Sequence, residues 1–347
     1  MYKRQVSVGV EDNGKFTKIT TLDYSQYNQQ AYEAQAGIVD IPLNDDQVNL
    51  VEQGQLVFQV HTTDQAVTAL KEVVYTALSD NRAFYLEQED INKPCVIQVL
   101  YKGKPAPTGT KLLLAQYDNG NDYPDGTPRL IPSSSQYTTC PQENQSSASI
   151  NNQLMAFRSG IAPTSTKAES SNTPDNQFVN IVTGRVETTN DQGIVALSIN
   201  PIQQGCCNIA LIPFGQNESQ PCIPTKLDTT YSNYVTVRVM PFDYKLARET
   251  PDNELTWDFM YNHVFKVYNL IYPVMSQIIP MNNRLLVEGA TMQIRATLGE
   301  DIIEENGVIH NTMWESTMYM SVARDLSYGK RQILRRWCDL VERDMQP

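Results

Sequence analysis

The chain has 347 residues, 41% of them hydrophobic and 19% charged, a balance that suits a globular protein with a real core and excludes wholesale disorder. Its 39 Asp and Glu against 27 Lys and Arg leave a formal charge of −12, which excludes a general binder of nucleic acid or anionic membrane, since both need a positive field. No apolar run reaches the roughly 18 residues of a spanning helix.

Residues 1–5 (Met-Tyr-Lys-Arg-Gln) read as translated sequencing-adapter DNA, so they are expected to carry no function and the chain to be a fragment of a longer one. A β-rich segment is expected over 6–91. Val6–Val10 alternates, Glu11-Asp12-Asn13-Gly14 supplies a turn and Phe16–Leu22 resumes, which predicts a hairpin. Leu56–Val60 is a strand candidate, and Ala66–Leu78 fits a helix or a strand pair equally well. Val96–Tyr101 and Lys111–Ala115 are the clearest strands, separated by a Gly- and Pro-bearing loop over 102–110. From 118 to 177 the chain is rich in Ser, Thr, Asn, Gln, Pro and Gly, which predicts a long mobile insertion. Strand patterns resume at Phe178–Val182, Gly184–Glu187, Gly193–Ile199, Cys206–Ile212 and Tyr234–Val239.

Gly103, Pro105, Gly109 and Thr110, then Thr189, Asp191 and Gly193 ahead of alternating Val195, Leu197 and Ile199, resemble the turn-and-strand motifs of bacterial immunoglobulin-like repeats in invasin- and intimin-type adhesins. The resemblance spans about residues 92–214 and implies a β-sandwich presenting loops for contact, with no catalytic residue to carry over. Short strands with Gly, Pro and Asn turns point the same way on physical grounds. The expected class is therefore α+β and β-rich: an antiparallel Ig-like sandwich over 92–230 carrying the insertion, then a strand and a helical subdomain of about three helices over 231–347.

The first of those helices starts near Asp252, carries Leu255, Phe259, Val264, Val267, Leu270 and Ile271, and is broken by Pro273. The second runs from about Asn283 to Leu298. The third is capped by Ser327, with an apolar stripe of Ile333, Leu334, Trp337, Leu340 and Val341. Lys330, Arg331, Arg335, Arg336 and Arg343 form its other, solvated face, balancing the acidic stretch at 300–305.

The motifs of P-loops, nucleophile elbows, zincins and dinucleotide folds do not occur. With three histidines, the conceivable metal set is His263, Glu304, Glu305 and His310; a packed histidine and a solvated acidic loop are the alternative. Asp118, Asp122 and Asp125 are oxygen donors of the kind calcium accepts, in a segment that reads more simply as a polar turn. Among six cysteines, Cys140, Cys206, Cys207 and Cys222 are the disulfide candidates, and Cys95 and Cys338 read as buried thiols. Neighbouring Cys206 and Cys207 should point to opposite faces of a strand.

The function expected is a non-catalytic interaction module of a secreted or cell-surface protein, with a protein or glycan ligand, no nucleic-acid partner and no cofactor. Alternatives are an accessory region of a larger enzyme, or an enzyme with its site near His263 and His310, where Tyr261, Tyr268 and Glu304 would join them.

Overall fold

The computed structural model describes all residues except 1–4, 13, 23–27, 37, 39, 62–65, 88–92, 122, 134, 142–154, 160–181, 231, 274–276, 278, 305–308, 320–323 and 345–347. The chain divides into two compact units, one of residues 1–76 with 101–103 and one of 77–100 with 104–347.

The first unit follows its alternation. Gln5–Asp12 (β1) and Lys15–Leu22 (β2) form the expected hairpin, with Gly14 at φ +78°. Helices Gln29–Gln35 (α1) and Asp45–Gln53 (α2) follow; α2 is held by a reciprocal cap between Asn44 and Gln47. Gln55–His61 (β3) and Ala66–Lys71 (β4) complete an antiparallel sheet in the order β2-β1-β3-β4. A bulge between Val8 and Gly9 needs glycine, because a Cβ there would lie 2.5 Å from the Phe16 ring and the Thr17 carbonyl. Ala66–Leu78, which periodicity left open, divides into β4 and a second strand, Tyr75–Ser79 (β5).

In the second unit the strands are Ala83–Leu86 (β6), Lys93–Tyr101 (β7), Lys104–Pro105 (β8), Lys111–Tyr117 (β9), Met155–Ser159 (β10), Arg185–Thr188 (β11), Ile194–Pro201 (β12), Gly205–Phe214 (β13) and Tyr234–Val239 (β14). With β5, whose residues 77–79 belong to this unit, they form two sheets, β10-β12-β7-β5 with β8 paired to β7, and β11-β9-β13-β14-β6. The β10–β12, β12–β7, β11–β9, β9–β13 and β13–β14 ladders are antiparallel, while edge strand β6 runs parallel to β14. Gly193, at φ +72°, turns the chain into β12 where a Cβ would meet the Ala106 amide and the Val99 carbonyl at 2.7 Å.

Strand β9 is buried on both faces from Leu112 to Tyr117. On one of them Leu113, Ala115 and Tyr117 pack with Ala210 and Phe214 beneath Leu130, Ile223 and Leu227. That cover corrects the expectation of a mobile insertion beginning at 118. Residues 118–121 and 123–133 run back over the sheet, with bridges Tyr117↔Leu130, Arg129↔Lys226 and Thr139↔Ile223. The Cys140–Cys222 disulfide then ties the cover down, with Cα atoms 5.0 Å apart. The average composition of 60 residues concealed Leu130-Ile131, both fully buried. Each such side chain stabilises by about 1.5–3 kcal/mol. Met155–Ser159 adds the edge strand β10; residues 142–154 and 160–177 lie outside the described residues.

The helical part is more broken than periodicity suggested. After Tyr244–Glu249 (α3), the expected first helix is a 3₁₀ turn at Asp252–Glu254, then Trp257–Met260 (α4), a π-turn at Tyr261–Phe265, and Lys266–Ile271 (α5), which ends just before Pro273. The wider π-turn lets adjacent Val264 and Phe265 both reach the core. The second helix divides at Gly289-Ala290 into Arg284–Glu288 (α6) and Thr291–Leu298 (α7). A hairpin of Asp301–Ile303 (β15) and Ile309–Asn311 (β16) leads on to Tyr328–Asp344 (α8). Ile333, Leu334 and Trp337 pack on Leu255, Val264 and Phe265 as the stripe requires, and Leu340 and Val341 border that cluster. The chain is thus β-rich with mostly antiparallel sheets and a C-terminal helical cluster. Among the described residues no helix is long and apolar enough to cross a membrane.

Candidate functional site

A cleft of about 480 Å³ lies within the second unit, among β6, β16, Trp314, Glu315, Arg324 and α8. Its parts follow from local rules. In β6 the alternation buries Phe84 and Leu86, which turns Tyr85 to the opposite side, into the cleft. Glu87 follows at once, buried. It closes the start of α8 from 241 residues away, its Oε2 accepting the Tyr328 amide at 3.1 Å. A carboxylate there also complements the positive end of the helix.

Arg331 corrects the expectation of a solvated basic face: its side chain is only 1% exposed. It donates to Glu87 Oε1 at 2.9 Å, to the Leu326 carbonyl, and from Nε to both oxygens of Asp301 at 3.0 and 3.2 Å. Asp301, itself fully enclosed, also accepts from Arg335, Gln332 and Asn311. The acidic stretch at 300–305 does meet the basic helix, as expected, but through one buried carboxylate. Burial opposes the charge on Asp301, and the Arg331 charge and the hydrogen bonds from Arg331 and Asn311 more than reverse it, holding the carboxyl below its ordinary range. Burial likewise disfavours the Arg331 cation, and Glu87 and Asp301 overcome it, so its pKa is raised. Ser327 holds the expected N-cap position of α8, its carbonyl accepting the Arg331 amide, while its hydroxyl bonds to Asp243 rather than to the helix.

The aromatic wall comes from Trp314, whose ring meets Tyr85 edge-on with centroids 5.1 Å apart and Tyr319 at 5.4 Å. Arg324 fixes that segment by donating from Nε and Nη2 to the Trp314 carbonyl at 2.9 and 2.7 Å. Its guanidinium lies 5.8 Å from the Trp314 ring centroid. Arg324 sits at φ +51°, a strained conformation for a residue with a Cβ. Lys93 is half-buried, while Asn81, His310 and Glu315 are exposed at the mouth.

Of the residues singled out in the sequence, His310 therefore lines this cleft. His263 is exposed on the π-turn against Phe259, ring centroids 4.2 Å apart, Glu304 is exposed, and Glu305 lies outside the described residues. Tyr261 stacks on Trp257, and Tyr268 is buried, with its pKa raised by that burial and by Asp325. Asp118 accepts from the Gly120 and Arg129 amides at 3.0 and 2.8 Å, and Asp125 pairs with Arg129 and Lys226. Both carboxylates thus build the turn; Asp122 lies outside the described residues. Among the described residues no three His, Cys, Asp or Glu side chains are grouped to hold a metal ion. Cys140 and Cys222 pair, Cys207 is buried and Cys206 half-buried on the other face, and Cys95 and Cys338 are buried thiols, each pushed up to about 12 by burial.

Tyr85, Glu87, Trp314 and Arg324 escaped sequence reading. The available signals were a single acid ending the apolar run at 83–86 and an indole stranded in a polar stretch.

No family model and no curated protein matches the chain. Among solved structures, the D0-D1 domain of intimin matches over 68% of this chain and 82% of its own length, with 9% identity and a TM-score of 0.21. Escherichia coli alpha-2-macroglobulin activated by porcine elastase matches over 68% of this chain at 11% identity and a TM-score of 0.20; there the match spans 19% of the other chain. Likenesses this loose add nothing to the arrangement described above.

Proposed function

We propose that this chain is a non-catalytic binding module of a secreted or cell-surface protein, and that the Trp314 cleft is where its ligand sits. The observation that carries the reading is the division of labour in the cleft. Its buried ionisable groups, Glu87 and Arg331, are bound to each other, to Asp301 behind them and to the start of α8. Tyr85 and Trp314 supply aromatic surface, and Asn81, His310 and Glu315 are exposed among the lining residues, in reach of a ligand. The Cys140–Cys222 bridge supports an oxidising compartment. The finer fold reading, an Ig-like sandwich, is supported by the antiparallel ladders and by left-handed glycines at 103, 109 and 193.

The intact chain and its Trp314→Ala variant, passed over an immobilised panel of oligosaccharides and peptides with mass analysis of every probe, test this. Retention that depends on Trp314, with each probe recovered unchanged, is expected. A probe converted to product overturns the reading.

A further inference from the structure

We infer that the Trp314 cleft takes an uncharged oligosaccharide, a proposal that rests on the binding-module reading above. The first argument is electrostatic. At the buried end the lining residue Glu87 is matched by Arg331, and Asp301 behind them is matched by Arg331 and Arg335, so that end presents no net charge with which to select an ion. Toward the mouth both signs are interspersed, Lys93 and Arg324 against Glu315, and both hydrogen-bonding senses are offered by exposed side chains: Glu315 accepts, Asn81 does both, and His310 does either according to its tautomer. A phosphate or carboxylate ligand would meet Glu315, and an ammonium ligand would meet Lys93 and Arg324. A sugar hydroxyl donates and accepts at once, so a row of them satisfies such a mixed set without a charge mismatch.

The second argument is shape. Tyr85 and Trp314 meet at an interplanar angle of 72°, a corner of two aromatic rings rather than a slot. The axial C–H face of a pyranose is apolar and flat enough to lie on one ring, while its equatorial hydroxyls reach outward to the polar side chains. A volume of about 480 Å³ lies in the ordinary range for small-ligand sites. The Arg324 bonds to the Trp314 carbonyl hold the main chain there, and Tyr85 and Tyr319 pack on the indole, before any ligand arrives, which limits the ordering cost of binding.

The test is calorimetric titration of the intact chain with cellotriose, maltotriose and chitotriose, followed in parallel by tryptophan fluorescence. At least one trisaccharide should bind, and Tyr85→Ala should abolish the heat. Because Tyr85 is partly packed, Asn81→Ala and Glu315→Gln, both at exposed positions, serve as second variants; each should weaken binding fivefold or more with an unchanged thermal unfolding curve. Three results overturn the proposal: no trisaccharide binding, binding that ignores all three variants, or cleft-dependent binding confined to sialylated sugars, uronic-acid sugars or peptides. The last of these leaves the binding-module reading standing, whereas hydrolysis of a trisaccharide sinks that reading instead.

Discussion

Two regions of the second unit are held by opposite means. Over strand β9 the cover is apolar and covalent: Leu130, Ile223 and Leu227 lie on Leu113, Ala115 and Tyr117, and one disulfide fastens the edge. Around the start of α8 the fastening is ionic, with Glu87, Asp301, Arg331 and Arg335 enclosed together. The first kind of contact tolerates exchange, since a somewhat smaller side chain leaves only a cavity. The second does not, because losing one partner strands an opposite charge out of water. The cleft is built on the intolerant region, which suits a site whose walls must not shift.

Arg331→Ala should therefore have the largest effect, a loss of about 3–5 kcal/mol read from the urea midpoint, because Glu87 and Asp301 keep their burial and lose their partner. A change below 1 kcal/mol would erase the contrast. Removing the disulfide by Cys140→Ser with Cys222→Ser should cost about 2–4 kcal/mol, since it releases a loop closed across 82 residues. Limited proteolysis should then cut first between 118 and 141, with α8 still protected.

Acid separates the regions further. Asp301 has a folded-state pKa below its unfolded value of about 3.9, so its stabilisation is fully present above that value and lost as pH falls through the folded one. The midpoint of the intact chain should drop on acidification below about pH 4, and Asp301→Asn should flatten that drop. Gly193→Ala, which forces a Cβ against the Ala106 amide at φ +72°, should cost about 1–3 kcal/mol without altering the acid response. The smallest effect is chemical: iodoacetamide should label half-buried Cys206 first, and Cys95, Cys207 and Cys338 only on unfolding, as mass spectrometry of digests would show.

What could be read in the sequence divides along the same line. Strands β7, β9, β12, β13 and β14 were legible because a two-residue period is written locally, and so was the α8 stripe of Ile333, Leu334 and Trp337. The disulfide partners were among the candidates, although pairing Cys140 with Cys222 rather than Cys206 or Cys207 needed geometry. Leu130-Ile131 was lost in its polar surroundings, and the π-turn at 261–265 arises from a packing demand that no local preference encodes. Arg331 looked like the other basic residues of α8 because a helix face carries no mark of a carboxylate 244 residues earlier. The cleft shared that fate. His310 was singled out for metal chemistry, whereas its companions Tyr85 and Trp314 became neighbours only through the fold.

The Glu87 contact with α8 also sets an order of events. Among the described residues, 83–86 have their ladder with 236–239, and Glu87 needs Tyr328 and Arg331. The second meeting cannot occur until α8 has been made, well after β14 has become available to β6. Such distant closures are slow. The nascent polypeptide therefore carries Glu87 and the edge strand beside it before their helix exists, and that interval is when a chaperone matters most to it.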